Sequence, residues 1–119
     1  MTIYTCPCCG YIEFDEFPGS YEICLICFWE DDVVQLYYPS SIGGANRVSL
    51  IEAQVNYFQF GSCEKRLIPH VRKPNIEDIK DSTWFPLYEK RIYIPDAEKS
   101  KVHVGKITSI KELCYWLRQ

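Results

Sequence analysis

Cys6-Pro7-Cys8-Cys9-Gly10 and Cys24-Leu25-Ile26-Cys27 set the organisation of this chain. They form two C-x₂-C pairs with 14 residues between them. Thiolates at that spacing bring four sulfurs to one tetrahedral Zn²⁺. In the first pair Pro7 presets φ for a tight turn, and Gly10 tolerates positive φ, so backbone N–H groups point at the sulfurs. The knuckle spacing favours Cys6, Cys9, Cys24 and Cys27 as the metal ligands, with Cys8 as a competing donor beside Cys9. The second knuckle departs from the pattern, because Phe28 follows Cys27 where glycine would ease the turn.

Three uses of such a cluster compete. A C-x₂-C redox device belongs at a strand-to-helix junction of a βαβ unit, and the surrounding sequence offers none. A catalytic zinc keeps one open position and favours histidine or carboxylate ligands. Four thiolates close the shell, so the expectation is one structural Zn²⁺ per chain.

Outward from the cysteines, Ile3-Tyr4-Thr5 reads as a strand entering the first knuckle. Tyr11 to Phe14 reads as a second strand, Phe17 to Ser20 as a turn, and Tyr21-Glu22-Ile23 as the returning strand. Together they predict an N-terminal zinc ribbon of treble β-hairpin type. Val33 to Tyr38 is an apolar, β-prone run ended by Pro39, followed by a loop through Arg47. Ser49-Leu50-Ile51-Glu52 is a capping box. It opens a central helix from about Ser49 to Phe60, with Leu50, Ile51, Val55, Tyr57 and Phe58 on its buried face and Gly61 as its stop. A short helix is expected from Ile76 to Lys80, and a strand pair at Arg91–Ile94 and Lys101–Thr108. A second capping box, Ser109 to Glu112, opens a C-terminal helix. The fold class is α+β: residues 1–84 a cysteine-rich zinc-ribbon region with the central helix, and residues 85–119 a C-terminal β-hairpin and helix packed on the same core.

At 119 residues and 47% apolar composition one core is affordable, although the first 30 residues need a metal staple. Seven cysteines, an odd number, exclude a complete disulfide framework. The start of the chain has no leader character, and no apolar run approaches the ~20 residues of a membrane span. A reducing, cytoplasmic location is expected. The net charge of −3 hides an asymmetry. Residues 1–60 hold one cation, Arg47, against eight carboxylates, a net of −7; residues 61–119 hold twelve cations against eight carboxylates, a net of +4. Nucleic-acid binding needs a basic footprint, which the ribbon lacks.

Glu30-Asp31-Asp32 admits a metal-dependent hydrolase site, a recognition surface, or a structural role. In the structural reading Asp31 or Asp32 pairs with Arg47 or accepts from backbone N–H groups of the Gly43–Asn46 loop. That loop precedes a helix, yet it lacks the lysine and glycine order of a phosphate loop and reads as a packing turn. Cys63 and Cys114 read as small core groups, and His70 and His103 as surface residues.

The same residues resemble the bacterial cysteine-rich CPCC family. The resemblance rests on Cys6-Pro7-Cys8-Cys9-Gly10, Gly19 to Cys24, Cys27, and Trp29-Glu30-Asp31-Asp32. It extends through Gly43-Gly44-Ala45-Asn46, Ser49-Leu50, Glu52-Ala53, Val71-Arg72, Pro74, Asp81 and Trp84, covering about residues 4–84. It implies a small cytoplasmic protein, with immunity proteins encoded beside toxins among its relatives. The resulting expectation is a zinc-stabilised protein-binding module that neutralises a toxin domain with a basic surface, such as that of a nuclease. Its contact residues would be Trp29, Glu30, Asp31, Asp32, Tyr37 and Tyr38. A nucleic-acid-binding ribbon using the basic 65–73 segment is the alternative, and a hydrolase using Glu30, Asp31 and Asp32 is the second.

Overall fold

Each cysteine pair sits at the tip of its own small antiparallel ladder. β1 (Tyr4–Thr5) pairs with β2 (Ile12–Phe14), with Tyr4 opposite Phe14, Thr5 opposite Ile12 and an irregularity between the two pairs. The Cys6 N–H donates to the Tyr11 carbonyl at 2.8 Å, closing the ladder onto the first knuckle. The second knuckle is bracketed in the same way. Ile23 bridges Glu30, the Cys24 N–H donates to the Trp29 carbonyl, and the Asp31 N–H donates to the Glu22 carbonyl. The expected ribbon paired Tyr11–Phe14 with Tyr21–Ile23. Instead each segment folds back across its nearer knuckle, the shorter loop to close. The outer side of Tyr11 is taken by an isolated bridge to Lys80. The computed structural model describes residues 2–89, 93–98 and 102–118.

The run from Val33 is a helix, not a strand: α1 spans Val33–Tyr37. Its β-prone composition loses to capping, because the Asp32 carboxylate accepts from the N–H groups of Val34 and Gln35. α2 spans Leu50–Phe60 as its caps foretold. The Ser49 hydroxyl accepts from the Glu52 N–H, and Gly61 closes the helix in the left-handed region at φ 80°. The buried stripe differs from the expected one. Leu50, Ala53 and Gln54 face the core, while Val55 is exposed and Phe58 is 78% exposed. The stripe follows helical period over side-chain apolarity.

Beyond α2, Lys65–His70 forms a 3₁₀ helix. The helix expected at Ile76–Lys80 is a turn instead, where Asp78 accepts from the Asn75 N–H at 2.7 Å and Ile76 is fully exposed. The expected strands at 91–94 and 101–108 fall partly on 91, 92 and 101, outside the described residues. The described parts contain no strand, and Val104–Lys106 is a 3₁₀ turn. The C-terminal helix is a single turn, α3 (Ile110–Leu113), followed by a 3₁₀ turn at Tyr115–Leu117. Ser109 makes no side-chain cap bond.

One hydrophobic cluster joins these pieces. The knuckle cysteines, Phe14, Trp29, Leu36, Leu50 and Ala53 pack with Leu87, Val104, Leu113, Tyr115 and Trp116. No helix among the described residues is long and apolar enough to cross a membrane.

Candidate metal centre

The two knuckles are built alike. In each, the N–H of the residue after the second cysteine donates to the carbonyl of the first: Gly10 to Cys6 at 2.9 Å, Phe28 to Cys24 at 2.8 Å. Both closing residues have positive φ, 82° at Gly10 and 70° at Phe28. The turn needs that conformation whatever side chain stands there. Glycine adopts it freely, whereas an L-residue pays about 1–2 kcal/mol for it. At Phe28 the ring is half-buried, its centre 5.4 Å from that of His70. Gly10 is fixed by space as well as by φ, because a Cβ would come within 2.5 Å of the Trp84 ring.

Cys6, Cys9, Cys24 and Cys27 converge as the spacing predicts. Their sulfurs all lie within 4.8 Å of one another, and all four residues are fully buried. Cys6 Sγ is 3.5 Å from Cys27 Sγ, and Cys9 Sγ is 3.8 Å from Cys24 Sγ. A metal ~2.3 Å from each corner of a thiolate tetrahedron sets the sulfurs about 3.8 Å apart, so this donor set fits a tetrahedral thiophilic ion. Cys8 is buried beside the cluster but is not a corner of it.

The electrostatics show what a bound cation would have to offset. Burial drives the Cys6 and Cys27 thiols well above the ordinary thiol range. Cys24 is held well below it, because it receives hydrogen bonds from the other three sulfurs and from the Cys27 N–H. Four thiolates in one dry pocket require a cation among them. The four donors leave no histidine or carboxylate in the set, so the centre would be closed and structural.

The acidic segment after the second knuckle serves the backbone. Asp31 Oδ2 accepts from the N–H groups of Gly19 and Ser20, at 3.2 Å each, and from the Ser20 hydroxyl at 2.8 Å. Burial nevertheless pushes its carboxyl upward. Asp32 Oδ1 caps α1, and its Oδ2 accepts from the Ala45 N–H at 2.9 Å. The loop N–H, not Arg47, is therefore the partner of Asp32, and neither aspartate pairs with Arg47 among the described residues. Gly44 is a packing position, since a Cβ there would lie 2.6 Å from Asp32 Oδ2.

These bonds correct the expected recognition surface. Trp29, Asp31, Asp32 and Tyr38 are buried, and Glu30 and Tyr37 are half-buried, so these six side chains do not form an exposed patch. Both carboxylates are engaged by N–H and hydroxyl donors of neighbouring turns and of α1.

Three buried amides escaped the sequence reading. Gln35 Nε2 donates to the carbonyls of Ser41, Asn46 and Val48. Asn46 accepts from the Glu30 N–H and donates to the Glu30 carbonyl, splinting that residue. Gln54 donates to the Pro7 carbonyl inside the first knuckle. Gln54 was within reach of sequence reasoning, since it lies four residues after Leu50 on the helical stripe; Asn46 stands in the loop read as a packing turn, without its side-chain role, and Gln35 carries no such signal.

No curated protein matches the chain. The family model described as Cysteine-rich CPCC matches residues 4–78, which takes in both knuckles, α1 and α2. That match spans well over half of the sequence, and the chain belongs to the cysteine-rich CPCC family.

Proposed function

We propose that this chain is a zinc-stapled protein-binding module of the immunity kind, acting in a reducing cytoplasm on a toxin domain with a basic surface. The reading is carried by the segment from Asp15 to Leu25, which runs from the end of β2 into the second knuckle. Tyr21 is held at φ 61° while its side chain is 60% exposed, and Leu25 is 62% exposed. Phe17 and Ile23 are exposed nearby in sequence, together with the carboxylates of Asp15 and Glu16. Backbone strain at an exposed aromatic marks a segment kept for more than folding. Aromatic and aliphatic anchors among carboxylates suit a basic protein surface, with charge speeding encounter and the anchors holding the complex. The metal centre would fix the segment at its Cys24 end, so that binding needs little ordering.

The test is co-expression with the product of the neighbouring gene, followed by co-purification and a toxicity assay. A stable complex and rescue of growth are expected, both weakened by Tyr21→Ala with Leu25→Asp. Absence of a complex, or retention on heparin at moderate salt in its place, overturns the reading.

A further inference from the structure

A groove of about 570 Å³ runs along the C-terminal half of α2, with Cys8 and Cys9 of the first knuckle in its lining. Its apolar wall includes Ile68, Val71, Pro74, Trp84 and Pro86, and its helix side includes Tyr57 and Phe58. Phe58 is 78% exposed and meets the ring of Tyr88, another lining residue, edge-on at 6.2 Å.

The charge of the groove runs against that of the molecule. In a chain of net charge −3, three cations line it, Arg72, Lys73 and Lys80, and no carboxylate does. Arg72 is spent on a two-pronged bond to Asp78, at 2.7 and 2.8 Å. Lys73 and Lys80 pair with no carboxylate among the described residues. The Lys80 ammonium stands 5.0 Å from the centre of the Tyr11 ring and 5.1 Å from that of Trp84, over the apolar wall. Cations beside apolar walls and exposed rings complement a ligand that is anionic and carries an apolar anchor.

We infer that this groove binds a short acidic peptide segment bearing an aromatic or aliphatic anchor, held by Lys73 and Lys80 with the anchor against Phe58 and Trp84. A polynucleotide fits less well. It would extend past two unpaired lysines into a molecule whose first 60 residues carry a net of −7. The inference rests on the binding-module reading and adds a second surface, opposite in sign to the Asp15–Leu25 segment.

The direct test is fluorescence anisotropy on the full metal-loaded chain. The probe is a labelled Asp/Glu peptide with a central Trp-Leu pair. The comparison ligands are the same peptide with Lys for each acid, the acidic peptide without Trp and Leu, and a single-stranded DNA oligonucleotide. Binding of the first peptide alone is expected, weakening with salt. It should fall about tenfold in Lys73→Glu with Lys80→Glu, several-fold in Phe58→Ala, and not at all in Lys106→Glu. Lys73→Glu alone and Phe58→Ala change exposed side chains, and metal content with circular dichroism verifies that they fold.

Equal binding of all peptides, no effect of the groove substitutions, or preference for the oligonucleotide overturns the inference. So does self-association of the chain that the same substitutions abolish, because the occupant is then a second copy. A Lys73→Glu, Lys80→Glu protein that still captures and silences the toxin while peptide binding is absent from the wild type removes the groove and keeps the module.

Discussion

Gln54 Nε2 donates to the Pro7 carbonyl at 2.9 Å, fastening the middle of α2 to the first cysteine knuckle across 47 residues of sequence. The same nitrogen donates to the Tyr115 hydroxyl, and Gln54 Oε1 accepts from the Leu87 N–H at 2.7 Å. One buried amide thus ties the cysteine-bearing third of the chain to its C-terminal part. Tyr115 passes the link on through its hydroxyl to the Phe85 carbonyl. The Trp84 indole N–H also reaches the Pro7 carbonyl, at 3.1 Å. Gln54→Leu therefore leaves Pro7 with a donor but strands the Leu87 N–H. A loss of about 2–3 kcal/mol is expected in denaturant unfolding. Unchanged stability would mean that the amide is not a fastener.

Asp32 joins α1 to the loop before α2, so its replacement should act at both. Asp32→Ala removes the cap of Val33–Tyr37 and the acceptor for Ala45, with an expected loss of about 2 kcal/mol. Asp32→Asn keeps an oxygen for the helix cap and should lose less. Equal losses, measured by urea unfolding, would locate the effect elsewhere.

Gly44→Ala tests the same junction by bulk. Its Cβ would meet Asp32 Oδ2 at 2.6 Å and the Gln35 side chain at 2.9 Å. Overpacking of this kind costs about 1–3 kcal/mol. Gly43→Ala meets no neighbour, but its φ of +83° strains any L-residue by about 1–2 kcal/mol. A double substitution that loses less than either single one would contradict this reading.

Tyr21→Gly separates strain from recognition. Glycine at φ 61° relieves about 1–2 kcal/mol of backbone strain while giving up unfolded-chain entropy of similar order, so stability should hardly move. Affinity for the proposed protein partner should fall. A large loss of stability would show that the ring serves the fold.

The thiols offer a chemical test. Burial pushes Cys114 up to about 12 and raises Cys8 and Cys63, so at pH 8 all three are protonated as well as shielded. The metal-loaded protein should resist a thiol reagent, and chelator with denaturant should release all seven cysteines. Rapid modification of the native chain would contradict the burial.

The features legible in the sequence are those governed by short-range rules. C-x₂-C spacing foretold the four converging sulfurs, and Ser49 with Gly61 foretold both ends of α2. Val33–Tyr38 reads as β-prone from its β-branched start, whereas the helix there is set by the Asp32 cap, whose second oxygen accepts from the Ala45 N–H. The acidic run suggested an exposed face, but its donors at Gly19, Ser20 and Ala45 come from turns whose approach no local rule predicts. The groove was invisible for the same reason, since α2, the 68–74 segment and Trp84 meet only in the fold.

We propose that Cys6, Cys9, Cys24 and Cys27 hold one structural zinc ion and that Cys8 does not. Cobalt substitution of the wild type, Cys8→Ser and Cys9→Ser tests it most directly, with zinc content measured in parallel. Wild type and Cys8→Ser should each bind one metal per chain and show the intense visible bands and thiolate charge-transfer absorption of a tetrahedral four-sulfur site. Cys9→Ser should lose that spectrum along with the fold of the N-terminal part. Loss of the spectrum in Cys8→Ser with its retention in Cys9→Ser, or a stably folded wild type that takes up no metal, would contradict the account.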